Sequence, residues 1–380
     1  SVPLKTGRSP AQFRAQAPSM LRKVFPWIQA HERHLSALAM VAGFITDSFL
    51  LVRVDLWETQ AIFALYTAIC FIAIPLLHRI EARAARGIER PRSRALLPIA
   101  TQFALGGFWS GFFVFYMRSA ATSASWPFLL LIAAVLVGNE ILRHYHERLV
   151  FTSVLFFFAL YSYAIFAVPI YTKTIGTLTF LASGALAVAL FSLFTMLLRI
   201  SGRERFFAEV WRIRAGALLV FAVINISYFT NILPPLPLSA EAAGVYHLVW
   251  REPGEYLASA EREPWRVRYL GFAPTLRVVP GEPLYAYAAV FAPTKLSTTI
   301  IHRWRWYDPA EEAWRTSATV AYPIRGGRDG GYRGYSTAYA YTEGKWRVDV
   351  ETSDGRLIAR IPFIVKRAAS TPPLETVTLK

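Results

Sequence analysis

The chain holds 380 residues, 54% of them hydrophobic, 15% aromatic and 17% charged, with a formal net charge of +16. The single cysteine, Cys70, excludes an intramolecular disulfide. Long apolar runs fill the chain up to about residue 235, and together they exceed what one soluble core can bury, which excludes a single water-soluble domain.

Residues 1–34 form a basic segment broken by Pro3, Pro10, Pro18 and Pro26, with no cleavable signal pattern. Within it, Met20–Ile28, carrying Phe25 and Trp27, reads either as an interfacial stretch or as a cytoplasmic tail. A helix needs about 20 apolar residues to cross a bilayer. Runs of that order fall at Leu35–Val52, Gln60–Leu77, Ala95–Tyr116, Trp126–Leu142, Leu149–Tyr171, Thr177–Leu198 and Ala215–Leu233. They predict a seven-helix transmembrane domain over residues 35–233, because only a helix satisfies its own backbone in lipid.

Lys and Arg fix the expected orientation. One side holds Lys5, Arg8, Arg14, Arg22, Lys23 and Arg33, then Arg79, Arg83, Arg86, Arg90, Arg92 and Arg94, then Arg143 and Arg148, then Arg199, Arg203, Arg205, Arg212 and Arg214. The other side holds Arg53, Arg118 and Lys173. This bias predicts a cytoplasmic N-terminus and an exported C-terminal domain in a bacterial inner membrane. It also accounts for most of the net charge, so no nucleic-acid partner is expected. Anionic lipid is a candidate contact of the inner arginines.

Polar residues inside such spans are costly and single out candidate sites. Asp47, Gln102 and Asn225 are the intramembrane candidates, as a proton or cation site or as structural pairs. Gly107 and Gly111 make a G-x-x-x-G pattern suited to close packing, within the bundle or against another subunit. Asn139, Glu140, His144, His146 and Glu147 cluster at one helix end, but without zinc-type spacing. No metal and no cofactor is expected.

Leu233-Pro234-Pro235-Leu236-Pro237 begins a stiff linker, residues 234–240. Alternation then predicts strands at Leu284–Phe291, Thr299–Tyr307, Trp314–Tyr322, Tyr332–Tyr341, Lys345–Glu351 and Arg356–Val365, with another at Trp265–Leu270. On Lys345–Glu351, Trp346, Val348 and Val350 are expected inward, and Arg347, Asp349 and Glu351 toward water. Residues 241–366 read as an immunoglobulin-like antiparallel sandwich, and 367–380 as a tail. Gly326-Gly327-Arg328-Asp329-Gly330-Gly331 lacks the Lys-Ser/Thr ending of a phosphate loop and reads as a turn.

Phe291-Ala292-Pro293, His302-Arg303-Trp304, Ile324 to Arg328, Gly331-Tyr332-Arg333 and Gly344 to Val350 together resemble a bacterial β-domain of unknown function found at the end of inner-membrane proteins. The helical half, with Phe25-Pro26-Trp27 before the first span, is similar to the multi-span segment often paired with it. The resemblance implies architecture and no activity.

Six of the 11 tryptophans lie in the exported domain. Trp304, Trp306, Arg325, Arg328 and Arg333 are the candidates for an exported binding edge. His302, beside two tryptophans, suits a structural role, and no Ser–His–acid set can be assembled. The reading is a non-enzymatic accessory, scaffold or assembly subunit of a larger membrane complex. The alternatives are a small-solute or ion carrier through the bundle and a ligand sensor acting through a partner.

Overall fold

A computed structural model describes residues 45, 47, 49, 51, 53–88, 96–119, 122–141, 149–233, 237–262, 272–293, 296–327, 330–339 and 341–379. The chain divides into two compact units, Ser1–Thr46 and Asp47–Lys380. In the first, Ile45 is helical and exposed. The basic N-terminal segment, most of Leu35–Val52, the strand expected at Trp265–Leu270, and His144, His146, Glu147 and Arg328 lie outside the described residues.

In the second unit six helices are described: α1 Trp57–Ala84, α2 Leu96–Ser119, α3 Thr122–Ile141, α4 Leu149–Thr172, α5 Thr177–Ser201 and α6 Arg203–Phe229. Trp57–Ala84, Leu96–Met117, Leu149–Thr172 and Thr177–Ser201 are long and apolar enough to cross a membrane. The shorter apolar stretch Trp126–Gly138 belongs to α3. Between α5 and α6 stands one residue, Gly202. Arg203, Arg205, Arg212 and Arg214, expected in a loop, therefore ride on the first half of α6. Helices longer than their apolar core carry the charge themselves.

α4 is the central helix, packed against α1, α2, α5 and α6. Small residues let its neighbours close in. A Cβ on Gly107 would sit 2.4 Å from the Tyr66 ring, and one on Gly111 would sit 2.5 Å from Phe63. The G-x-x-x-G face thus packs on Tyr66 and Phe63 of α1 and on Leu51. Phe63 then stacks on Phe112 at 5.4 Å and meets Phe166 edge-on at 5.4 Å. The outside of the bundle is apolar too: Leu65, Ile72, Ile99, Phe103, Leu178 and Leu218 are all exposed.

The C-terminal domain is β-rich. Its strands are β1 Ser239–Tyr246, β2 Leu248–Glu252, β3 Glu255–Glu261, β4 Thr275–Val278, β5 Leu284–Phe291, β6 Ser297–Asp308, β7 Ala313–Arg325, β8 Tyr332–Ala338, β9 Gly344–Thr352, β10 Leu357–Arg367 and β11 Leu374–Leu379. They form three sheets, ordered β4-β10-β9-β6-β7, β1-β5-β8 and β11-β3-β2. β4 runs parallel to β10, so the ladders are not all antiparallel. Strand β5 explains the layering. Leu284, Ala286, Ala288 and Val290 enter the main core with Trp304, Trp346, Val348 and Phe363. Tyr287 and Ala289, on its opposite face, enter a second core with Val249, Ala258 and Leu379. A strand buried on both faces reads as a continuous apolar run. The expected tail instead supplies β11, paired with β3. The expected linker overlaps β1, and its residues 234–236 lie outside the described residues.

Among the described residues, α2 packs on β1 and three further contacts tie the helical half to this domain. Arg53, paired bidentately with Asp55, lies over the Phe291 ring at 5.3 Å. Ile175, between α4 and α5, packs on the main β-core. The third is the β9–β10 turn. Gly355, at φ +78°, closes a tight loop in which the Thr352 N–H donates to Arg356 O and the Arg356 N–H donates to Thr352 Oγ1. Arg356 is thereby aimed at the end of α6. Its guanidinium donates to the carbonyls of Tyr228 and of Leu233, the latter at 2.6 Å. It also lies 3.8 Å above the Tyr228 ring, which stacks on Phe180 of α5 at 3.7 Å. A cation at a helix C-terminus meets the negative end of its dipole.

Gly326 shows how tightly the domain closes. Its N–H donates to Leu296 O at 2.7 Å, and a Cβ there would meet Pro293 O at 1.8 Å. That clash is with backbone, which cannot swing aside. Gly326→Ala is expected to destabilise the domain by about 1–3 kcal/mol, read as a lower thermal midpoint. An unchanged midpoint would contradict this packing.

Candidate functional site

A recess lies at the end of β9 opposite the Arg356 turn. Trp306 of β6 and Trp346 of β9 are register partners and form its floor. Thr352 lies six residues along β9 from Trp346, or about 20 Å at strand spacing. The β8–β9 segment adds Tyr339, Tyr341, Thr342 and Glu343, and the β4–β5 loop adds Pro280 and Gly281. The volume is about 370 Å³, within the range of roughly 300–1,000 Å³ typical of ligand sites.

Its walls are held by hydrogen bonds. Trp346 Nε1 donates to Thr342 O at 2.7 Å, and Tyr341 OH donates to Glu282 O. The Arg367 backbone N–H donates to Glu343 Oε1 at 2.7 Å. Tyr339 stands at the rim, 69% exposed. Aromatic walls with an acid and a cation at the mouth suit a ligand with both flat apolar and polar faces. The sequence shows Trp306 and Trp346 as strand residues, but it does not show that both border a recess.

A second feature covers the outer face of the five-stranded sheet. Asp349, fully buried, faces Arg360 at 2.6 Å, Arg347 at 3.2 Å and Arg305 at 3.5 Å. Glu351 faces Arg303 at 3.0 Å and Arg305 at 3.4 Å. Asp349 and Glu351 are therefore not turned to water, as alternation alone suggested. The missed signal was two charged alternations, Arg303/Arg305 and Arg347/Asp349/Glu351, on adjacent strands. Arg347 also lies 4.3 Å over the Trp314 ring. Burial holds its guanidinium below the usual arginine range, opposed by Asp349 and reinforced by Arg360 and Arg305.

The remaining candidates do not assemble into one site. Trp304 is 1% exposed and belongs to the core, so it is no part of a binding edge. Trp306 lines the recess. Arg325 ends β7 and Arg333 lies on β8, in different sheets, and Arg333 reaches Gly254 O at 3.5 Å. Asn225 donates to Tyr161 OH at 3.1 Å and to Phe221 O at 2.7 Å. Asp47 lies beside Ser110. Gln102, eight residues earlier on α2, is about 12 Å along the helix from Ser110. The structure does not gather the three intramembrane residues into one locus.

His302 is fully buried between sheets. Trp304 Nε1 donates to Ser336 Oγ at 3.0 Å, and Ser336 Oγ lies 2.9 Å from His302 Nδ1. Tyr322 OH lies 2.9 Å from His302 Nε2. Each ring nitrogen of His302 is therefore within hydrogen-bond distance of a hydroxyl, and the tautomer sets which partner donates. Both the serine and the histidine are closed to solvent. Among the described residues no group of three or more His, Cys, Asp or Glu is placed to hold a metal.

Burial lowers the His302 pKa to about 4. The unfolded chain binds its proton near pH 6.5 (approximately), so the folded state is the weaker proton binder. Stability is then full above about pH 6.5 and falls as pH drops toward about 4, with a slope approaching ~1.4 kcal/mol per pH unit. Thermal unfolding across this window is expected to show the loss, and His302→Gln to flatten it. An identical pH profile in both proteins would contradict the assignment.

Residues 297–365 match the family described as Protein of unknown function (DUF2914), and no curated protein matches the chain. The Pseudomonas fluorescens alkylpurine DNA glycosylase AlkC, bound to DNA containing an abasic site analogue, matches at 11% identity and a TM-score of 0.21. That match covers 82% of this chain and 83% of the other, and at this similarity it carries no argument. The chain thus contains a segment, β6 through most of β10, similar to a family of unknown function. His302 and the arginine-lined sheet face both fall inside it.

Proposed function

We propose that this chain is a non-enzymatic, multi-pass protein of a bacterial inner membrane that holds a periplasmic β-domain in fixed orientation and presents it to a protein or envelope component. It would serve as an accessory, scaffold or assembly subunit of a larger membrane complex. The observation that carries this reading is the Arg356 contact, which ties the β9–β10 turn to the end of α6. A freely tethered domain has no use for a buried arginine at its anchor.

The membrane placement is supported by four long apolar helices and by the apolar side chains exposed around the bundle. Asp47 and Phe49 are helical and fall within the run Leu35–Val52 that the seven-span reading takes as its first span. The excess of Lys and Arg on alternate loops supports a cytoplasmic N-terminus. The five-stranded sheet facing β1-β5-β8 supports an immunoglobulin-like sandwich, to which β11-β3-β2 is added. The carrier reading loses support because Asn225 is paired with Tyr161 and Phe221, while Asp47 lies beside Ser110, about 12 Å along α2 from Gln102. A ligand sensor acting through a partner is favoured by the aromatic recess, which is large enough for a small molecule.

A photo-crosslinking residue at Tyr339, on the rim of the recess, is expected to give a discrete protein adduct in native membranes. The same residue at Glu375, exposed on β11, is the control. Equal labelling at the two positions, or none at Tyr339, would contradict presentation of this face.

A further inference from the structure

The outer face of the five-stranded sheet carries more positive charge than its own acids neutralise. Strand alternation puts Arg303 and Arg305 of β6, Arg347 of β9 and Arg360 of β10 on that face, and register brings them together. Arg303 and Arg360 both pair with Asp349, while Arg305 pairs with Arg347. Asp349 and Glu351 are the acids that face them. Four guanidiniums therefore share two carboxylates.

A purely structural network needs one cation per buried acid. Extra guanidiniums add desolvation and like-charge repulsion. The pairing geometry is also incomplete. Arg305 Nε and Arg347 Nε are buried without a hydrogen-bond partner, as is Asp349 Oδ2, despite the short separations between them. Local rules broken without compensation mark functional positions. Arg347 is held flat against Trp314, and Arg305 is held between Asp349 and Glu351. The donors are thus fixed before any ligand arrives, and planar guanidinium forks match tetrahedral oxyanions.

We propose that this face binds an oxyanion of the phosphate or sulfate class, gripped by Arg305 and Arg347 and flanked by Arg303 and Arg360. Such an anion supplies the missing negative charge, reached through the part-exposed guanidiniums of this face. The site is separate from the aromatic recess, and the proposal does not depend on the partner inferred above. The phosphate can belong to a soluble anion or to a lipid headgroup.

The test is calorimetric titration of the full chain, in phosphatidylcholine nanodiscs at fixed ionic strength, with inorganic pyrophosphate. Saturable binding is expected, weakened about ten-fold or more in both R305Q and R347Q and unchanged in R325Q, which removes a cation outside the cluster. Without anion, R305Q is expected to unfold no earlier than the parent, because it relieves repulsion around Asp349. Nanodiscs containing phosphatidylglycerol identify the source: suppressed pyrophosphate binding indicates a headgroup occupant, and unchanged binding a soluble one. Absence of saturable binding, equal binding by R305Q and R347Q, or a lower unfolding midpoint of R305Q without anion would overturn the proposal.

Discussion

The architecture depends on one buried cation. Arg356 leaves the β9–β10 turn, caps the end of α6 through two carbonyls and lies on the Tyr228–Phe180 stack. Each partner would be expensive to leave alone. A buried carbonyl such as that of Leu233 costs about 1–3 kcal/mol when left unsatisfied, and burial disfavours the charged guanidinium. The helix end, the aromatic stack and the turn therefore satisfy one another only when the two halves are docked. Arg53 over Phe291 and Ile175 against the β-core add contacts away from the turn, so rotation about the arginine is also restrained.

This docking gives the rest of the β-domain a direction. Because β9 runs away from the Arg356 turn, Trp346 and the aromatic recess stand at the far end, and the arginine-lined face lies along the side between them. The core beneath is rigid for reasons local to its strands. β5 packs on both faces, and the His302–Ser336–Trp304–Tyr322 network ties one sheet to the next. A recess and a charged face mounted on such a frame stay where the helices put them.

Much of this organisation was legible in the sequence, and the failures have identifiable causes. The apolar runs from Gln60 onward and the alternating strands from Leu284 onward declare themselves because each obeys one period. Strands β1, β2, β3, β4 and β11 escaped notice. Ser239–Tyr246 is rich in alanine, and Leu374–Leu379 is mostly exposed, so neither shows a clean alternation of burial. Asp349 obeyed its period and still misled. It faces away from the core, yet neighbouring arginines cover it completely. Gly107 and Gly111 signalled close packing without saying against what, and Phe63 and Tyr66 of the same chain fill the space. Nothing in the sequence around Arg356 distinguishes it from any basic residue after an Asp-Gly turn, since its role is set by a helix end more than 100 residues away.

The most direct test of the docked geometry is a distance measurement by pulsed electron resonance in lipid bilayers. Cys70, the only native cysteine, would be replaced by Ser, and spin labels placed at the exposed Lys173 and Lys366. A single narrow distance distribution that broadens on Arg356→Ala is the predicted result. A broad or multiply peaked distribution with Arg356 intact would contradict a β-domain fixed to its helical anchor.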